Sequence, residues 1–87
     1  SLESIRTGEG VAVSFAKDLT VDHVSVNSNV AVLSLGSRGL ALYDVSDPLI
    51  PISRGIFDVG YVYKTYFWGD HILICTRSGL QVSKIKL

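Results

Sequence analysis

VSVNSNVAVL, which spans Val24 to Leu33, decides the fold because its pattern returns as TYFWGDHILI from Thr65 to Ile74. The pair Gly39-Leu40 that follows the first stretch returns in the same way as Gly79-Leu80. The offset is 41 residues at the start of the pattern and 40 at the glycines, so the second copy lacks one residue between its strands. Short apolar strands that repeat about every 40 residues are typical of β-propeller blades, whereas helical repeats would show a period of 3.6. The sequence therefore predicts an all-β fold with two tandem propeller-type blades.

The composition fits a chain that buries most of its strands. Apolar residues make up 47% of the 87 residues and charged residues 18%, which is too apolar for a disordered segment. Eight basic and eight acidic residues give a formal net charge of zero, so we expect neither nucleic acid nor membrane as a partner. No apolar run reaches the roughly 20 residues that a transmembrane helix needs. Cys75 has no second cysteine to pair with, so the redox state of the compartment stays open.

Turn residues divide the chain into eight predicted strands. Asn, Asp and Gly in residues 27–29 and 68–70 favour tight turns because they tolerate positive φ. The longest break is Ser46 to Pro51, whose two prolines lack backbone donors, and we expect Asp44 and Asp47 to cap backbone groups there. The predicted strands lie near 11–16, 21–26, 30–35, 40–45, 52–57, 62–67, 71–76 and 79–85.

These strands suggest three divisions of the chain. Residues 1–10 form an N-terminal extension, residues 11–57 an outer closing strand with the first blade repeat, and residues 58–87 a second repeat without its own outer strand. If each blade runs from an inner strand a to an outer strand d, the chain reads d-abc-d-abc. The strand near residues 11–16 would then pair with the open edge of residues 80–83 and complete a second four-stranded antiparallel blade.

Two blades cannot close a ring by themselves, because propellers need about 4 to 8 of them. An isolated pair would leave apolar faces and unpaired strand edges in water. We therefore expect the chain to be part of a larger or oligomeric β-propeller. The missing blades come either from further copies in a cyclic homo-oligomer or from another chain.

The first repeat also resembles a known family. The residues that carry the likeness are Val24 to Val32, Gly39 to Pro48, Pro51 and Arg54-Gly55. In these residues the chain is similar to the LVIVD repeat of bacterial and archaeal proteins, which is taken to form β-propellers. The likeness covers most of residues 21–85, but the chain has Lys84 to Leu87 where the second copy would need Asp-Val-Ser-Asp-Pro. Many members are exported or surface-attached, so the resemblance implies a propeller and suggests an extracellular or cell-surface location.

Aromatic side chains mark a first candidate binding site. Five of them lie within eight residues: Tyr61, Tyr63, Tyr66, Phe67 and Trp68. Such a cluster more often forms the core between blades, but it can also stack on a sugar or a peptide. We expect Tyr61 and Trp68 to be the most exposed members. A glycan pocket between blades would be lined by Tyr61, Tyr63, Trp68 and either Arg38 or Arg77.

The inner strands carry a second set of candidates. Their side chains face the central channel of a propeller, where Asp22, His23, Tyr63 and Lys64 are best placed to meet a ligand. A structural or water-lined channel is the more usual arrangement.

No combination of residues predicts catalysis, a metal ion or a cofactor. His71 and Cys75 would be roughly 13 Å apart on one strand, which is too far for two ligands of one zinc ion. Asp22, His23 and Ser25 contain the residue types of a triad, but neighbours on a strand point to opposite faces. We therefore expect a non-enzymatic propeller segment that acts in protein interaction or assembly. The alternatives are a lectin-like glycan-binding module and a non-catalytic part of a larger propeller enzyme.

Overall fold

The computed structural model describes residues 13–86, and within this range the chain is all β, with seven strands and no helix. The strands are β1 (His23–Asn27), β2 (Val30–Ser34), β3 (Leu40–Asp44), β4 (Ile52–Phe57), β5 (Val62–Trp68), β6 (His71–Thr76) and β7 (Gly79–Lys84). Sheet 1 has the order β1-β2-β3-β4 and sheet 2 the order β5-β6-β7, with every pair antiparallel. The described residues include no helix that could span a membrane.

The repeat in the sequence is also a repeat in the backbone. β1 and β2 form a hairpin in which Asn27 and Val30 are the paired residues beside the turn. β5 and β6 form an equivalent hairpin, in which Trp68 and His71 take these positions. The first turn residue has positive φ in both hairpins, 53° at Ser28 and 61° at Gly69. The missing residue lies in the next turn, because sheet 1 uses residues 36–38 to connect β2 to β3 and sheet 2 only residues 77–78.

Side chains alternate between the two faces of each sheet, because successive residues of a strand point in opposite directions. The face of sheet 1 that packs on sheet 2 we call the front face of sheet 1. Its residues are Val30, Val32, Leu40 and Leu42. The back face of sheet 2 packs against it with Val62, Phe67, Ile72 and Ile74. The repeat relates Val32 on the front face of sheet 1 to Leu73, which lies on the face of sheet 2 opposite to Ile72 and Ile74. The front face of sheet 1 therefore packs on the back face of sheet 2.

Contacts between the sheets are closest where β1 and β2 meet β5. The Ser25 hydroxyl donates a hydrogen bond to the Thr65 carbonyl oxygen at 2.5 Å and lies 3.0 Å from Thr65 Oγ1. Gly36 and Val62 exchange two backbone hydrogen bonds, of 3.1 and 3.0 Å. The polar groups of Ser25, Thr65, Gly36 and Val62 are thus paired across the interface. These contacts fix the two sheets to each other where β1 and β2 meet β5.

The back face of sheet 1 is packed by the N-terminal segment. Ala31, Leu33, Leu35 and Ala41 form this buried cluster, and Ala16 and Leu19 pack on it. The Phe15 ring lies 5.0 Å from the Tyr43 ring between centroids, at an angle of 60°. The segment therefore covers the sheet as a loop.

The predicted strand at residues 11–16 is therefore wrong for residues 13–16, whereas Val11 and Ala12 lie outside the described residues. Ala16 has a φ of 55°, which is incompatible with an extended strand. Within residues 13–86 no strand lies beside β7 on its outer edge, so sheet 2 has three strands instead of the predicted four.

The loop between β3 and β4 is held by its two aspartates, as the sequence predicts. The backbone N–H of Ser46 donates to Asp44 Oδ1 at 2.9 Å, and the Ser46 hydroxyl donates to the same atom at 2.5 Å. The N–H of Leu49 donates to Asp47 Oδ1 at 3.0 Å. The hydrogen bonds from Ser46 lower the pKa of Asp44, with a smaller contribution from Arg54. These Asx-type turns set the direction in which β4 returns along β3.

Candidate functional site

The face of sheet 2 that points away from sheet 1 is apolar and exposed. We call it the front face of sheet 2. It consists of Lys64, Tyr66 and Trp68 on β5, His71, Leu73 and Cys75 on β6, and Leu80, Val82 and Lys84 on β7. Four of these side chains are largely in contact with solvent: Tyr66 at 47%, Trp68 at 64%, Leu80 at 70% and Val82 at 54%. An apolar patch of this kind marks an interaction surface more often than a random surface does.

The equivalents in sheet 1 of Leu73, Leu80 and Val82 are buried. The repeat relates Leu80 and Val82 to Leu40 and Leu42, which are 5% and 9% exposed because they pack on sheet 2. It also relates Leu73 to Val32, which is fully buried. The two front faces are thus equivalent in the repeat, but only one of them is covered by a sheet within the described residues.

The back face of sheet 1 is covered only in part. The N-terminal segment packs on β2 and β3, whereas Val24 and Val26 on β1 remain more than half exposed. The repeat relates these two valines to Thr65 and Phe67, which contact sheet 1 in the chain itself. A strip of back face is therefore open along β1.

A second cluster joins Tyr61, Tyr63 and Arg77 at the end of sheet 2 where β5 begins. The Arg77 guanidinium lies 3.9 Å from the centroid of the Tyr61 ring, and its Nε–H donates to the Tyr63 hydroxyl oxygen at 3.3 Å. The two tyrosine rings are 5.2 Å apart between centroids. The hydrogen bond to Tyr63 is the main cause that raises the pKa of Arg77. The cluster presents aromatic faces beside a fixed positive charge, a combination that suits a polar ring-shaped ligand.

A β-bulge in β5 creates this cluster. Val62 pairs with Thr76 and Lys64 with Cys75, so Tyr63 is an extra residue without a partner on β6. The bulge shifts the register by one residue, which places Arg77 opposite Tyr61, where its N–H donates to the Tyr61 carbonyl oxygen at 3.0 Å. Bulges of this kind often re-aim a side chain at a functional surface.

The other predicted site residues lie apart from this cluster. His23 and Lys64 both approach Tyr66, with His23 6.1 Å away between ring centroids and the Lys64 ammonium 5.8 Å from the ring centroid. Trp68 lies at the opposite end of β5 from Tyr61, about 20 Å along the strand. The residues predicted for one glycan pocket therefore fall into two places.

Tyr61 and Arg38 are both close to the turn that joins β2 and β3. Arg38 lies in this turn and is exposed. The Tyr61 ring packs against Gly36 of the same turn, near the carboxylate of Asp22. Of the five aromatic residues, only Phe67 packs on the apolar cluster between the sheets, so the role of core residue applies to it alone within the described range.

Two buried polar atoms have no hydrogen-bond partner among residues 13–86. They are His23 Nδ1 and Ser34 Oγ, which belong to paired residues on β1 and β2. No three His, Cys, Asp or Glu side chains in the described range come close enough together to hold a metal ion.

Tyr66 belongs to the aromatic cluster that the sequence marks as a candidate site, whereas Leu80 and Val82 were not predicted to line a binding face. The signal was present in the repeat, because Leu80 and Val82 take the positions of Leu40 and Leu42. Equivalence in the repeat predicts which face they occupy, but it does not show whether that face is covered.

Compared with protein-family models, with curated proteins and with solved structures, the chain has no match. The likeness to the LVIVD repeat thus rests on the residues quoted above.

Proposed function

We propose that this chain is a non-enzymatic β-propeller segment that assembles through the front face of sheet 2. The observation that carries the proposal is the front-to-back packing of the two sheets within the chain. Because the front face of sheet 1 is buried by the back face of sheet 2, the equivalent front face of sheet 2 has the shape and chemistry to accept another back face. Stacking of this kind continues from blade to blade in a propeller.

The partner we propose is a second copy of the same chain. Its open strip of back face carries Val24 and Val26, which are equivalent to the residues that sheet 2 already presents to sheet 1. Tyr66 of one copy would then lie on Val24 of the next, as Ser25 lies on Thr65 within the chain. Such a contact uses two different surfaces, so it closes into a ring when the rotation permits. With two sheets in each copy, rings of 4 to 8 blades need about two to four copies.

The experiment is to measure the solution mass by light scattering coupled to size exclusion, for the unmodified chain and for Leu80→Asp. We expect an integer multiple of the 9.4 kDa mass for the unmodified chain and a monomer for the variant. A charge on the front face of sheet 2 would have to be desolvated on assembly without a partner, which is strongly unfavourable.

Ile50→Asp serves as the matched control, because Ile50 is an equally exposed apolar residue in the loop before β4. Its mass should equal that of the unmodified chain. A monomeric unmodified chain, or an equal loss of mass in both variants, would refute assembly through the front face.

A second function is favoured by the cluster of Tyr61, Tyr63 and Arg77, namely the binding of a glycan that carries a carboxylate. The exposed Tyr63 ring would stack on a sugar face, and the guanidinium nitrogens that do not bond Tyr63 would pair with the carboxylate. In calorimetric titrations with a sialylated or uronic-acid oligosaccharide, Arg77→Gln should weaken binding at least tenfold relative to the unmodified chain. Arg54→Gln, on β4 in sheet 1, is the matched control and should leave affinity unchanged. No measurable heat with the unmodified chain would exclude this second function.

A further inference from the structure

We infer that the outer edge of β7 binds an extended polypeptide strand whose apolar side chains enter the cleft between the two sheets. The inference concerns the backbone edge of β7 and not the side chains of the front face of sheet 2, so it goes beyond the proposed self-association and does not depend on it.

Among residues 13–86, no strand pairs with the outer edge of β7. Its residues pair with β6 from Gly79 to Lys84, and all of them are exposed. The N–H of Ile85 continues the ladder by donating to the Asp70 carbonyl oxygen at 3.4 Å. In an antiparallel pair only every second residue of a strand forms hydrogen bonds to the neighbouring strand, and the residues between them direct their N–H groups to the other side. The N–H groups of Leu80, Val82 and Lys84 therefore point away from β6, towards the open edge.

A cleft of about 330 Å³ lies beside this edge. One wall is the outer part of sheet 1, with Leu40, Leu42 and Phe57. The opposite wall comes from sheet 2, where Ile72 and Ile74 line the floor and residues 83–86 form the border. A strand added to β7 would place every second side chain on the back face of sheet 2, which is the side of the cleft. The unpaired edge and the unfilled apolar space are thus two separate observations that point to the same occupant.

Sheet 1 shows what kind of strand such an edge accepts. β3 is equivalent to β7 in the repeat, and its outer edge is occupied by β4 in antiparallel orientation. In β4, Ile56 pairs with Ala41 and Phe57 with Leu40, so the strand has apolar side chains on both faces. Strand addition to a sheet edge takes its affinity from backbone hydrogen bonds and its specificity from the side chains that fill pockets. The ligand class is therefore an extended peptide with large aliphatic or aromatic side chains at the positions that face the cleft.

The test uses a synthetic peptide with the sequence of residues 50–58, which includes β4, titrated calorimetrically into the full chain. We expect saturable binding of one peptide per chain. Val82→Pro removes one outward N–H and leaves the hydrogen bonds to β6 intact, because a proline is tolerated at such an edge position. It should weaken peptide binding at least tenfold.

Val82→Thr is the matched control, since threonine keeps the N–H and the branched shape, and it should bind as the unmodified chain does. Circular dichroism verifies that both variants are folded. Absence of peptide binding to the unmodified chain, or equal affinity for Val82→Pro and Val82→Thr, would overturn the inference. A Leu80→Asp chain that is monomeric and still binds the peptide would separate edge binding from assembly through the front face.

Discussion

Gly39→Ala is expected to lower the free energy of unfolding by about 2 to 5 kcal/mol, the largest effect of a substitution to alanine at any glycine within residues 13–86. Gly39 has a φ of 89°, which strains any residue with a Cβ. A Cβ at this position would also lie 2.1 Å from the carbonyl oxygen of Phe57, a backbone atom that cannot rotate away. β4 would have to move away from β3 to relieve the clash. Urea denaturation followed by far-UV circular dichroism measures the loss.

Gly60→Ala is the matched control for Gly39→Ala. Gly60 has a similar φ of 100°, but an added Cβ would meet no described atom within 4 Å. Its cost should be limited to the backbone strain, about 1 to 2 kcal/mol. If the two variants were equally destabilised, the close approach of β3 and β4 at Gly39 would not be present in solution.

Ile72→Ala is expected to destabilise the chain by about 2 to 5 kcal/mol, the range measured for large-to-small changes in cores. Ile72 is 2% exposed and belongs to the cluster that joins the two sheets, with Val32, Leu40 and Leu42 opposite. Ile72 lines the cleft between the sheets. Removing its side-chain carbons beyond Cβ therefore leaves a cavity next to this cleft. The same denaturation experiment measures the effect.

Ile50→Ala provides the comparison for Ile72→Ala, because the same side chain is removed from a site that is 62% exposed. We expect a change of no more than about 0.5 kcal/mol there. A small effect at Ile72 would mean that the sheets do not pack through the front face of sheet 1. The equivalent front face of sheet 2 would then not be expected to bind another sheet.

The sequence predicts the seven strands from residue 23 onwards because each is bounded by turn residues whose chemistry is local. The positive φ at Gly69 and the caps by Asp44 and Asp47 are of this local kind. The segment at residues 13–16 alternates like a strand, yet it packs as a loop because Phe15 contacts Tyr43, a residue far away in sequence. Alternation alone does not distinguish a strand that pairs from a segment that covers a face.

The sequence predicts individual residues of the candidate sites, but it does not predict which of them lie together. The bulge at Tyr63 leaves no mark in the sequence, but it decides that Arg77 meets Tyr61. Trp68 has the right chemistry for the same pocket, yet it lies at the far end of the strand. The sequence gives the spacing of residues within one strand, whereas the composition of a site depends on the register between neighbouring strands.

The most direct test of front-to-back assembly is an isotope-filtered NOE experiment on a mixture of 13C-labelled and unlabelled chains. It detects only contacts between different copies. We predict NOEs from the ring protons of Tyr66 in one copy to the methyl groups of Val24 in another, the pair equivalent to Ser25 and Thr65 within the chain. Intermolecular NOEs that connect Leu80 only with Leu80 would show a symmetric face-to-face dimer instead. Either that result or the absence of any NOE between copies would contradict the proposal that this chain continues its own repeat from one copy to the next.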